Sequence, residues 1–190
     1  MSGFWEYIER QINLVPHTVY EVVLVSLIIA FIGLLVMFTN RAAKWFAWLI
    51  FAEYLLVVYG ITVFFRVVNP NYGNYYTLFW NYKEIIHGED PSLLYEVIMN
   101  VVLFVPIGLL WSAQSKNRTD KQQWLTAFVL GMGLSIGIEV LQLVFKKGSF
   151  EIDDIIHNTV GCMLGFAVWK GCEKLVKAVK NKLIKKECNN

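Results

Sequence analysis

The chain has 190 residues, of which 56% are hydrophobic and 17% charged, and its formal net charge is +2. A soluble domain carries roughly 25% charged residues. The shortfall, with apolar residues in long unbroken blocks, argues against an ordinary soluble fold. The small net charge also gives no basic footprint for nucleic acid.

The chain opens on Phe4, Ile8 and Ile12 at intervals of four, with Trp5 and Tyr7 between them. This spacing predicts a short helix lying flat in the membrane interface over residues 1–18, ended by Pro16. No positively charged stretch precedes a short apolar core, so no cleavable signal is expected there. The hydrocarbon core is about 30 Å thick, and a helix rising 1.5 Å per residue needs about 20 apolar residues to cross it. Blocks near that length predict spans at about residues 19–38, 45–65, 93–111 and 124–145. A fifth, at about 154–169, is the shortest, and the alternatives for it are continuation to Val176 or a tilt and kink at Gly161 and Gly165.

Residues 67–92 are too polar to cross. Their Tyr72, Tyr75, Tyr76, Phe79, Trp80 and Tyr82 predict a loop resting on the membrane surface. Residues 170–190 form a lysine-rich tail. Its Leu175, Val176, Val179 and Leu183 fall on one side, as in a basic amphipathic helix on an anionic leaflet. The expected fold is therefore all-α, a polytopic membrane bundle of about five transmembrane helices over residues 19–169. An interfacial segment precedes it and a basic tail follows it.

Alternating loops sort the cations unequally. One side holds Arg41, Lys44, Lys116, Arg118, Lys121 and the seven lysines of the tail; the other holds Arg10, Arg66, Lys83, Lys146 and Lys147. Positive loops stay in the cytoplasm. The amino end is thus expected outside the cell membrane and the carboxyl end inside. Cys162, Cys172 and Cys188 form neither a CxxC pair nor a zinc spacing, and two lie in or beside an apolar helix. Thiols acting as small buried hydrophobes are expected, with no cofactor and no metal.

The polar residues within spans are not scattered. Glu96 and Asn100 lie four apart, and Glu139 and Gln142 lie three apart. Gly131, Ser135 and Glu139 form one small and polar stripe. Asp154, Asn158, Gly161 and Gly165 form another, beginning beside Asp153, and Arg66 ends the second span on the same side. A charge at a helix centre in lipid costs about 2.5–3.5 kcal/mol on insertion scales, so such a cluster must face the bundle interior or a wet cleft. Two readings stand: packing glue with Asp153 or Asp154 capping the fifth span, or an outward-facing binding site. Glu53, in the middle of the second span, is read as a neutral carboxyl bonded to a neighbouring helix, with a homo-oligomer contact as the alternative.

Three blocks carry a resemblance. They are Asn100-Val-Val-Leu-Phe-Val-Pro-Ile-Gly108, then Glu139-x-x-Gln142, then Phe150-Glu-Ile-Asp-Asp-Ile-Ile-His-Asn158-x-x-Gly161. In this order and spacing they resemble the VanZ-like membrane proteins over about residues 60–170. The family is named for a teicoplanin-resistance protein. The resemblance implies a polytopic envelope protein of Gram-positive type bacteria, some of whose members lower susceptibility to lipoglycopeptides. Two departures stand out. Lys146-Lys147-Gly148-Ser149 replaces an expected arginine, and Glu151 replaces the first aspartate of the third block. A lysine keeps the charge but loses the bidentate guanidinium contact.

The resulting candidate ligand site comprises Arg66, Glu96, Asn100, Glu139, Gln142, Asp153, Asp154 and Asn158. Its expected partners are membrane lipids and either a lipoglycopeptide or a lipid-linked cell-wall precursor. Alternatives are an intramembrane enzyme using Glu139, Asp153 and Asp154 as acid and base, with Asp153 and His157 four apart as a metal pair, and a lipid or proton-coupled transporter. No nucleophile motif supports the enzyme, and no internal repeat supports the transporter. For the topology, an amino-terminal tag is expected to be cleaved by protease added to intact cells and a carboxyl-terminal tag to be protected. The reverse pattern would overturn the orientation.

Overall fold

The computed structural model describes residues 41–68, 73–87, 92–114 and 119–188. The expected interfacial segment and first span lie outside these residues. The described chain forms five α-helices: α1 (Arg41–Tyr59), α2 (Trp80–His87), α3 (Ser92–Gln114), α4 (Asp120–Phe145) and α5 (Ile152–Cys188). A π-helical turn, Gly60–Phe64, continues α1, and two short strands, β1 (Asn74–Tyr75) and β2 (Phe150–Glu151), pair in parallel. Among the described residues three stretches are long and apolar enough to cross a bilayer: Ala47–Phe64, Leu93–Gln114 and Asp120–Phe145. The protein is a helical membrane protein.

Local chemistry sets the ends of these helices. Thr119 caps α4 in a reciprocal box, its hydroxyl accepting the Gln122 N–H while the Gln122 side chain accepts the Thr119 N–H. At the far end Lys146 adopts a left-handed conformation (φ 53°), and the Lys147 N–H turns back onto the Gln142 carbonyl at 2.9 Å. α5 differs from expectation. It passes residue 170 without a break, so the apolar stretch and the basic tail are one helix of 37 residues. Gly171 is a weak point there, but the lysines, glutamate and leucine that follow propagate a helix well. Leu175, Val176, Val179 and Ile184 stand exposed along its second half.

The bundle is closed by glycines. A Cβ at Gly161 would strike the Val101 carbonyl, one at Gly165 the Val105 carbonyl, and one at Gly108 the Cys162 carbonyl. The α3 and α5 backbones therefore touch directly, as small residues allow between helices in lipid. Gly131 does the same for α4, lying against Thr159 and Cys162 of α5. Around this seam Phe51, Val58, Val63, Phe104, Ile107, Ile138 and Cys162 form the buried core. Cys162 is buried as expected, whereas Cys172 is exposed on the part of α5 that outruns the bundle.

Tyrosines tie α1 to the seam: the Tyr54 hydroxyl donates to the Leu103 carbonyl at 2.8 Å, and that of Tyr59 to the Leu134 carbonyl at 3.2 Å. Glu53 is half-buried. At the end opposite the polar cluster, Lys170 pairs with Asp120 at 2.8 Å and Trp124 meets Phe166 edge-on at 4.5 Å.

Substituting Gly161 by leucine is expected to lower stability by about 1–3 kcal/mol or more through overpacking. Gly133→Ala, where nothing lies within 4 Å, should change it by less than about 1 kcal/mol. Thermal unfolding in detergent measures both, and equal effects at the two positions would refute the seam.

Candidate functional site

The eight residues singled out in the sequence come together at one end of the bundle, from the π-helical turn and from α3, α4 and α5. Each arrives by a specific local route. The π-turn spaces its carbonyls differently from an α-helix, and the Thr62 carbonyl accepts the Gln142 side-chain N–H at 2.9 Å. Arg66 follows the turn directly. Its guanidinium lies beside Gly148 and Gln142, with Nη1 3.1 Å from where a Gly148 Cβ would stand. The Lys147 ammonium donates to the Phe64 carbonyl at 2.6 Å, so the lysine loop and the π-turn are fastened together.

The stripe on α4 faces α5. Ser135 Oγ accepts from Asn158 Nδ2 at 2.9 Å, and Glu139 Oε2 accepts the Glu151 N–H at 2.8 Å. Ser135, Glu139, Gln142 and Asn158 are all buried. They form the floor of the cluster. Asp154, one turn before Asn158, has a side chain that is 20% exposed. It is hydrogen-bonded to Asn100 of α3 and lies within electrostatic reach of Glu96 and Arg66. Glu96, Glu151, Asp154, Asn100 and Arg66, all half-buried, make the rim.

Glu151 is a rim residue that the sequence reading did not include. Its signal was its substitution for the first aspartate of the third block. Burial pushes its carboxyl up to about 8, with Asp154 and Glu96 adding to the rise and Arg66 opposing it.

Asp153 and Asp154 are adjacent, yet they serve different partners. Asp153, 1% exposed, lies in the first turn of α5 and reaches across to another segment. Its carboxylate accepts the Phe79 N–H at 2.7 Å and the Asn81 N–H at 3.4 Å, across more than seventy residues. It thereby caps the start of α2. Phe79 takes φ 61°, an uncommon conformation for a bulky side chain, which costs about 1–3 kcal/mol and persists only when its surroundings hold it.

The same segment is held at two further points. Asn74 and Tyr75 pair with Phe150 and Glu151, and the Tyr82 hydroxyl lies 2.9 Å from His157 Nε2. The expected surface loop is thus partly helical and folded onto the start of α5. Trp80 is stacked on Tyr75 at 4.0 Å, while Tyr76, Leu78, Phe79 and Ile86 are exposed. Asp153 and His157 are also the candidate metal pair. Each is engaged with the 73–87 segment. Among the described residues no group of three or more His, Cys, Asp or Glu is placed to hold a metal ion.

Apolar helices of spanning length, closed by glycines and holding a polar cluster at one end, define a helical membrane protein. Its family follows from comparison. The VanZ/LLP1 family model matches residues 51–176, and the chain belongs to that family. Protein VanZ of Enterococcus faecium is 31% identical over 119 residues, covering 60% of this chain and 71% of that relative. No solved structure matches the chain.

Replacing Asp153 by alanine is expected to release α2. Losing charge-assisted bonds worth about 1–3 kcal/mol should speed hydrogen exchange at the Phe79 and Asn81 amides roughly ten- to a hundredfold. Unchanged exchange would show that the carboxylate does not hold the segment.

Proposed function

We propose that this protein is a bacterial cell-envelope membrane protein that lowers susceptibility to lipoglycopeptide antibiotics such as teicoplanin. In this reading it crosses the cell membrane with its amino end outside and its lysine-rich end in the cytoplasm. The Arg66–Glu139–Asp154 cluster then lies in the outer leaflet. It acts as a binding site for the polar head of a lipid-tailed molecule, either the antibiotic or a lipid-linked cell-wall precursor, and not as a catalyst.

One observation carries the reading. A main-chain carbonyl of the π-turn, Arg66 just beyond it and polar side chains of three helices converge at one end of the bundle, with a partly exposed rim over a buried floor. Membership of the VanZ/LLP1 family supports the resistance outcome. The excess of cations in one set of loops supports the orientation. Lipoglycopeptides act at the outer surface, the side on which this orientation puts the cluster.

A second reading has an observation of its own. Glu151, with its carboxyl raised to about 8 beside Asp154, is suited to exchanging a proton near neutral pH. That chemistry fits an intramembrane acid–base enzyme acting on a lipid-linked precursor.

Expression in a susceptible Gram-positive host tests the first reading. The chain should raise the teicoplanin concentration that stops growth, and Glu139→Ala, Asp154→Ala and Asn158→Ala should each return it to the host's own level at normal membrane abundance. Loss of abundance in all three would reduce the cluster to packing. Turnover of a polyprenyl phosphate by purified protein, abolished in the Asp154 variant, would instead establish the enzyme.

A further inference from the structure

The rim and floor of the cluster have a chemical bias that narrows the class of ligand. Among the described residues, one guanidinium, Arg66, faces the carboxylates of Glu96, Glu151 and Asp154 at the rim. Its single charge cannot balance three. Burial with this crowding holds the Glu151 carboxyl up at about 8, so a second cation arriving there would meet an acid ready to ionise. Behind them Glu139 adds a fourth carboxylate, already engaged with the Glu151 N–H. The floor adds an independent observation. Asn158 is 4% exposed and donates Nδ2 to Ser135, but its Oδ1 has no partner. It stands one turn below Asp154 on the same helix face, so this acceptor opens into the interior that the carboxylates line. A buried acceptor left unmade costs about 1–3 kcal/mol, and a donor that fills it recovers that cost.

The site is therefore rich in carboxyl oxygens and short of cations. A primary ammonium has the complementary chemistry, three N–H donors and one positive charge on a compact centre. A metal ion fits less well, because no three of these acids are placed as ligands. The surroundings add a second requirement. At the same depth Leu94 and Ile98 of α3 and Val140, Leu143 and Val144 of α4 expose apolar side chains, surface suited to an alkyl tail.

We infer that the cluster takes the primary ammonium group of a membrane amphiphile, held by Asp154 and Glu151 at the rim with Asn158 Oδ1 as the acceptor beneath. The inference rests on the binding-site reading above and names the chemistry of its ligand. An aminated lipid and a lipid-tailed antibiotic both present such a group.

Full-length protein in phosphatidylcholine nanodiscs tests this, with dodecylamine and its uncharged N-acetyl derivative as probes in a calorimetric titration. Dodecylamine is expected to bind about tenfold tighter or more, the scale of one charge-assisted hydrogen bond. Asp154→Asn and Glu151→Gln should each collapse that ratio. Glu173→Gln, far along α5 and paired with Lys177 at 3.0 Å, should leave it intact. The ratio is read within each variant, so partial loss of folded protein does not mimic the result.

Equal binding of the two probes to the unaltered protein, or a preference that survives both rim variants, overturns the inference. If resistance still depends on Asp154 in that case, the binding-site reading stands and only the ammonium is lost. Given the preference, displacement of dodecylamine by teicoplanin assigns the ammonium to the antibiotic, and failure to displace it assigns it to a lipid. Both outcomes support the ammonium site.

Discussion

The contact between the α3 and α5 backbones is the constraint on which the rest of this protein depends. Helices in lipid gain no hydrophobic drive from meeting, so their association rests on close packing and on hydrogen bonds between them. Gly108, Gly161 and Gly165 bring main chain against main chain, leaving no room for a Cβ at any of the three. That contact also fixes the rotation of α5 about its axis. Once Gly161 and Gly165 are turned onto α3, Asp154 and Asn158 on the same face are turned inward with them. The packing device and the polar cluster are therefore parts of one stripe.

The polar groups in this interior are held by partners from other elements. Gln142 of α4 reaches the π-turn, Asn158 of α5 reaches Ser135 of α4, and Glu139 of α4 reaches the main chain of β2. Such bonds tie the elements to one another, as polar groups do between helices in lipid. The opposite end of the bundle differs in character. There Trp48, Phe51 and Trp111 meet as rings, and one ion pair joins Lys170 to Asp120. The fully buried carboxylates among the described residues, Glu139 and Asp153, thus gather at one end of a largely apolar body.

The blocks that carry the family likeness map onto these same contacts. Asn100 and Gly108 supply the polar group and the close approach on α3, and Glu139 and Gln142 the inward face of α4. Residues 150–161 supply the strand, the two aspartates and the glycine of α5. The departures from the family pattern also acquire physical meaning. The lysine loop lacks its expected arginine, but the guanidinium of Arg66 lies beside Gly148 of that loop. Glu151 stands at the rim, where its longer side chain adds a carboxylate opposite Arg66.

Much of this was legible in the residues alone. Unbroken apolar blocks announced helices of spanning length, since a bilayer demands about 20 apolar residues per crossing. Spacings of three and four placed Glu139 with Ser135 and Gly131, and Asp154 with Asn158, Gly161 and Gly165, because the helical period is a local property. The folding of residues 73–87 onto Asp153 was not legible, nor was the division of labour between Asp153 and Asp154. Neither was the continuation of α5 through its basic half, where Lys170-Gly171 reads as a stop that the following helix formers override. The clasp joins Phe79 and Asn81 to a carboxylate more than seventy residues away, and no local pattern encodes such a meeting. Sequence by itself determined which faces are polar and which helices can cross. Only the tertiary structure decided which partner each polar group meets, because that depends on backbone approach and helix rotation, which are set by the packing of the whole bundle.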